Sequence, residues 1–408
     1  MSTHRHRVTK RLVVLLSIVA LDAAGIGVIF PVLPGLLRRL TGNADVSILY
    51  GAIVALYALA QFVCSPMLGV LSDRLGRRPV LLASIAGATI DYVFMTFTPS
   101  VWGLLAGRVV AGVTGANAAV ATSYIADLTD GDRRTRYIGY VNGAYAAGII
   151  IGPVIGGMLG NGGSRLPFLV AGILNGLNLV LTYFTLSESR RAAVTSTVVR
   201  FNPFAGIRRM LAVASLLPLI ATYGLIELIA NLIGTLWLLF GHDRLHWNDA
   251  TLGASLATLG LFHVVSFAFL AAPLATRLGE RRAIVVGIVC DCIAMISIGT
   301  AAHGWVAFAV APLFALGSIG VPVLQASMTK TVDSNTQGEL QGVLTSIVSL
   351  ASIIGPLVAS GVYAVTARAW PGGAWLLGLA LYALTIPLLR TRPSSVRARP
   401  RSLERSAA

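Results

Sequence analysis

Twelve long apolar runs, with nearly every charge confined to the short stretches between them, limit what this chain can become. A run of ~20 apolar residues matches the hydrocarbon thickness of a bilayer. No water reaches the backbone there, so each run has to close its own hydrogen bonds as a helix. The runs cover residues 12–37, 48–71, 80–97, 102–125, 137–160, 166–186, 211–240, 252–275, 283–301, 305–329, 338–364 and 374–389. Of the 408 residues 56% are hydrophobic and 12% charged, about half the charge of a soluble domain, and the mean hydropathy is +0.80. The expected fold class is an all-α membrane protein with 12 transmembrane helices.

The net charge of +15 would suit a nucleic-acid binder, but the basic residues lie in short loops between apolar runs, so no nucleic-acid partner is expected. Most of the 31 Lys and Arg residues precede the first run or occupy every second loop thereafter: Arg5, Arg7, Lys10 and Arg11, then 74–78, 133–136, 190–209, 277–282 and the tail. The positive-inside rule puts those loops and both termini in the cytoplasm, with the bilayer of the bacterial inner membrane as the setting. The first run is too long for a signal peptide and no A-x-A-like site follows it, so it reads as a retained helix. Cys64, Cys290 and Cys292 sit in apolar segments and imply neither a disulfide framework nor a metal site.

The chain also repeats. Arg74-Leu-Gly76-Arg-Arg78 returns as Arg277-Leu-Gly279-Glu-Arg-Arg282, and Gly152-Pro153 returns as Gly355-Pro356 at the same offset. This divides the chain into a six-helix half (1–187), a cytoplasmic linker (188–210), a second six-helix half (211–390) and a basic tail (391–408). A ligand site is then expected near the midplane between the halves.

An ionisable group inside a span is costly and marks a functional candidate. Asp22 lies mid-helix among small residues, which let a substrate or a neighbouring helix approach; it reads as a transport carboxylate or a polar anchor. Asp91 fits transport or a structural pairing. Arg108 precedes Gly112, Gly115 and Ala119 on one helix face, and needs carboxylate partners, either to couple protons or as a plain ion pair. Asp291 lies in the ninth run, and His263 mid-span in the eighth could accept a proton or simply be packed. Glu227 and Asn231, spaced i, i+4, make a polar stripe expected to face a cavity or to form an interhelical pair. Walker loops, H-E-x-x-H and nucleophile elbows are missing from the sequence, so the chain does not read as an enzyme, and an ion gradient is the expected energy source.

The loop 69–79 carries Gly69, Asp73, Arg74, Gly76, Arg77, Arg78 and Pro79. Gly69 is read as allowing close helix approach, Gly76 a tight turn, and Pro79 as the first position of the next helix. With Asp127, Asp73 and Arg77 read as a cytoplasmic gate cluster. The spacing Gly-x3-Asp-Arg-x-Gly-Arg-Arg resembles the loop between helices two and three of major facilitator superfamily transporters. Gly148, Gly152, Pro153, Gly156 and Gly157 resemble the fifth-helix motif of the superfamily's exporters, and equally suit glycine-mediated packing.

Residues 21–34, 55–61, 107–116, 124–132, 259–263, 277–282, 322–326 and 337–342 resemble the twelve-helix tetracycline/proton antiporters. The resemblance implies that a divalent-metal–tetracycline chelate leaves in exchange for a proton, with Mg²⁺ travelling as cargo and no cofactor bound permanently. It assigns proton coupling to Asp22, Asp91, Arg108, His263 and Asp291, and the central cavity to Gln61, with Gln325 in a matching stretch. Asn117, Glu227, Asn231 and Phe267 depart from the family pattern, adding a negative charge and losing an amide where substrate would touch, which points to a different or more cationic drug. The chain is expected to work as a monomer. The rival readings are a same-fold exporter of another drug or a metabolite, and a non-transporting membrane sensor.

Overall fold

The computed structural model describes residues 2–129, 131–188, 216–332 and 336–390. The expected linker beyond Glu188, the start of the seventh run (211–215) and the tail 391–408 lie outside the described residues. Among the described residues all regular structure is helical. Twelve helices are long and apolar enough to cross a membrane: α1 (Leu12–Thr41), α2 (Ser47–Leu75), α3 (Arg77–Phe97), α4 (Val101–Asp127), α5 (Arg136–Gly160), α6 (Leu166–Thr185), α7 (Leu217–Asp243), α8 (Asp249–Leu278), α9 (Glu280–Gly299), α10 (Trp305–Thr331), α11 (Gln337–Thr366) and α12 (Pro371–Leu389).

The internal repeat is a repeat of packing. α1 lies along α5, α2 on α4, and α3 on α4 and α6; in the second set α7 lies along α11, α8 on α10, and α9 on α10 and α12. Gly76 and Gly279 both take positive φ, +103° and +83°, a turn conformation that side chains disfavour. A Cβ on Gly152 would lie 2.3 Å from the Ala24 carbonyl oxygen of α1, and one on Gly355 would lie 2.7 Å from Asn231 Cβ of α7. Each Gly-Pro helix therefore runs against the first helix of its own half.

Two spans expected to be continuous are broken, at matching places in the repeat. α4 divides at Gly115–Ala116 and α10 at Ser318–Ile319. Gly115 adopts φ −75° and ψ 67°, an inverse γ-turn in which Ala116 N–H donates to the Thr114 oxygen at 2.9 Å. The Gly115 carbonyl accepts from Gln61 Nε2 at 3.0 Å, a partner that hydrocarbon could not supply. The break ends the small-residue strip expected after Arg108: Gly112 and Gly115 pack on α2, and Ala119 is exposed.

Other boundaries shift by a few residues. α3 begins at Arg77, so Pro79 is its third residue instead of its first; a missing N–H costs nothing within the first turn. α12 opens three residues early through a 3₁₀ turn, Pro371–Trp375. α8 contains a π turn at Ser266–Leu270, with Ala271 N–H donating to the Ser266 oxygen. Pro273 explains it, having no N–H to offer the Phe269 carbonyl.

The halves meet along α5–α8 and α2–α11. Gly157 abuts the Asp249 carbonyl, Gly253 the Pro153 carbonyl, and Gly51 the Pro356 carbonyl and Ser360. These contacts lie toward the face opposite the Arg77 loop. Among the described residues the closest contacts between the halves thus gather at the far face, which makes the basic face the side where a wedge between them would open.

Candidate functional site

Asp22, Tyr57, Asp91, Arg108 and Asn117 line one small chamber inside the first half, with a volume of about 20 Å³. Asp91 and Arg108 form its charged wall. Arg108 Nε donates to Asp91 Oδ1 at 3.1 Å and an Nη donates to the other carboxylate oxygen. The two residues are 1% and 6% exposed. A Cβ on Gly107 would lie 2.7 Å from Asp91 Oδ1, so only glycine admits the carboxylate there. The guanidinium also stands 5.4 Å from the Tyr57 ring centroid, a cation–π contact. The carboxylate partner expected for Arg108 is therefore Asp91, a pairing that both readings of the arginine require. Asp22 bonds elsewhere: Asn117 Nδ2 donates to its Oδ1 at 2.8 Å.

Gln61, expected to face the central cavity, is engaged with the Gly115 carbonyl and the Tyr57 hydroxyl, the latter at 3.3 Å. Its amide secures the break in α4. The glycines of α5 divide their work: Gly148, Gly152 and Gly156 seat the helix on the backbone of α1, while Gly157 on another face meets α8 across the halves. The motif is thus both packing surface and seam.

On the basic face the expected gate cluster is assembled. Buried Arg77 reaches Asp73 at 2.7 Å, Asp127 at 3.0 Å and the Ser72 hydroxyl at 2.6 Å. Glu188, which sequence reasoning missed, accepts from the backbone N–H groups of Arg77 and Arg78 at 2.9 and 3.1 Å, an acidic cap on the α3 N-terminus. Arg78 donates to the Tyr183 carbonyl at 2.6 Å, and Arg74 is exposed beside the cluster. Gly69 does not do what was expected: open space surrounds it, with nothing within 4 Å of an added Cβ. The second half repeats the cluster with its charges exchanged. Glu280 and Lys330 occupy the repeat positions of Arg77 and Asp127 and pair at 2.6 Å, with Ser327 also donating to Glu280. The offset shared by Gly76 and Gly279 was the signal that could have found them.

The remaining candidates stay within the second half. Asp291 is buried against Gly317 and accepts from the Tyr382 hydroxyl, leaving Oδ1 without a hydrogen-bond partner among the described residues. His263 Nδ1 donates to the Leu259 carbonyl at 2.7 Å, and its ring meets Phe267 edge-on at 6.2 Å. Glu227 neighbours Tyr223, whose hydroxyl also accepts from Gln325 at 3.0 Å. In the Glu227–Asn231 stripe, expected to face a cavity or to bond between helices, Asn231 Nδ2 donates within its own helix, to the Glu227 main-chain oxygen at 2.9 Å.

At the far face Arg38 of α1 clasps the end of α7. It donates to His242 Nδ1 at 2.7 Å and pairs with Asp243, which also accepts from Tyr363 of α11 at 3.2 Å. This cross-half latch was not foreseen, because the sequence does not record which distant charge an arginine meets.

The family model described as Major Facilitator Superfamily matches residues 15–317 and 230–407. A solved structure of a bacterial homologue of the human lysosomal transporter Spinster, in an inward-facing and unoccupied conformation, shares the fold. Its TM-score is 0.73 at 17% identity, with 94% of each chain covered. The chain belongs to the major facilitator superfamily. Within it the chain belongs with the tetracycline resistance proteins. The class C protein of Escherichia coli is 45% identical over 380 residues, covering 93% of this chain and 96% of the relative. The class G protein of Vibrio anguillarum is 46% identical over 379 residues, with the same coverage.

Proposed function

We propose that this protein exports tetracycline, carried as a divalent-metal chelate, in exchange for protons across the bacterial inner membrane. The observation that carries this reading is identity of 45–46% to tetracycline resistance proteins over 93% of the chain. The basic face is cytoplasmic on this reading. Drug enters the wedge there, the halves rock about the α5–α8 and α2–α11 seams, and the far-face latch parts for release. Protons entering from outside load the intramembrane carboxylates, Asp22 and Asp291 foremost, and drive the return. The glycine contacts of Gly157 and Gly253 support a rocking seam, since they let two backbones touch without interlocking side chains.

The test is uptake into everted vesicles energised by a pH gradient, with tetracycline and Mg²⁺ run beside a panel of cationic and neutral drugs. Metal-dependent tetracycline uptake that collapses with the gradient supports the proposal. Gradient-driven uptake of other drugs alone refutes tetracycline as substrate. A second reading, a more cationic drug, is favoured by Glu227 beside Tyr223 and Gln325. Glu227→Gln then changes the ranking of drugs, and an unchanged ranking removes that reading.

A further inference from the structure

Asn117 stands at an unusual place in the backbone. It opens the second segment of α4 immediately after the γ-turn at Gly115, where first-turn N–H groups lack intrahelical partners and the positive end of the segment dipole lies. The residue is 2% exposed. One side of its amide is used, Nδ2 donating to Asp22 Oδ1 at 2.8 Å. The other side is not: Oδ1 is buried and has no hydrogen-bond partner among the described residues. A buried amide oxygen without a protein partner costs free energy, and a second state in which a neighbouring group donates to that oxygen would recover it.

The carboxylate that Asn117 holds supplies such a state. An ionised carboxylate only accepts hydrogen bonds, whereas a protonated one also donates. We propose that Asn117 is a positioning residue that follows the proton on Asp22: its N–H holds the ionised carboxylate, and the same amide, turned half a turn about its terminal bond, holds the protonated carboxyl through C=O. The groups facing Asp22 leave this task to the amide. Tyr57 of α2, Tyr92 of α3 and Tyr145 of α5 lie within electrostatic reach of it, but the side-chain hydrogen bond to its carboxylate comes from Asn117. Asp91 and Arg108 share the chamber but neutralise each other. At about 20 Å³ the chamber holds roughly one water molecule, so the carboxyl is out of reach of bulk solvent.

The proposal takes its biological meaning from the antiport reading, yet it is tested without transport. The full-length protein is purified and titrated by infrared difference spectroscopy, with the Asp22 carboxyl band identified by its loss in Asp22→Asn. Removing the amide in Asn117→Ala takes away a hydrogen bond from both forms, and the one to the charged form is the stronger, so Asp22 binds its proton up to about tenfold more tightly and the band's midpoint moves up by as much as about one pH unit. Asn117→Gly, which suits a helix break, repeats the measurement if the alanine variant fails to fold. The parent's amide bands also change in step with the carboxyl band, and this coupled change is absent from both variants. A midpoint that stays put in both variants, or a parent whose amide bands ignore the titration, overturns the proposal. Tetracycline/proton exchange with an unmoved midpoint sinks this inference alone; a shifted midpoint in a protein that moves no tetracycline sinks the substrate reading alone.

Discussion

Removing either member of the Asp91–Arg108 pair separates two roles that a buried ion pair can play. Asp91→Asn leaves a guanidinium that is 6% exposed with the Tyr57 ring, 5.4 Å away, as its remaining charge-compensating contact. Arg108→Gln leaves a carboxylate that is 1% exposed and seated against Gly107, out of reach of bulk solvent. Stranding a buried charge in this way costs about 3–5 kcal/mol. The double variant Asp91→Asn/Arg108→Gln removes both charges while keeping an amide–amide hydrogen bond of similar reach. It should lie within about 2 kcal/mol of the parent, so the coupling energy is about 4 kcal/mol or more. The assay is denaturant unfolding of the four purified proteins in one detergent, with vesicle uptake measured alongside. Single variants that each lose under about 1 kcal/mol, or losses that simply add, refute the reasoning and mean that water reaches the pair. If the double variant is stable and transports, the pair is structural; if it is stable and inactive, the charges serve transport.

The seam and the two faces make further predictions. A Cβ on Gly253 would lie 2.1 Å from the Pro153 carbonyl, so Gly253→Ala should hold the far face apart; cysteines placed on the far ends of α5 and α8 should label faster with an impermeant maleimide, and unchanged labelling would count against the seam. Arg38→Gln releases a partly exposed latch worth about 1 kcal/mol, which is a roughly fivefold shift toward far-face opening, readable as spin-label distances between α1 and α7; an unchanged distance distribution would mean that the latch holds nothing. Arg77→Lys should fail to restore the uptake lost in Arg77→Ala, because one ammonium cannot serve Asp73, Asp127 and Ser72 in the geometry of a planar fork; a fully active lysine variant would remove geometry from the explanation.

The architecture was legible in the one-dimensional pattern because the bilayer imposes a local rule. Every run long enough to span must be a helix and every uncompensated charge must leave the hydrocarbon, so twelve spans followed from counting. The repeat followed from Gly76/Gly279 and Gly152/Gly355, since the same backbone demand recurs at the same offset. Arg108 announced that it needed a carboxylate. Which one it takes was a different kind of question: Asp22 and Asp91 were both intramembrane acids, and only the packing of α3 on α4, with Gly107 clearing the space, assigns Asp91 to Arg108 and leaves Asp22 to Asn117. The breaks in α4 and α10, the Glu188 cap, the exchanged Glu280–Lys330 pair and the Arg38 latch were likewise decided by tertiary structure. Each depends on groups tens to hundreds of residues apart, and hydrophobic periodicity records that a residue is buried without recording against what.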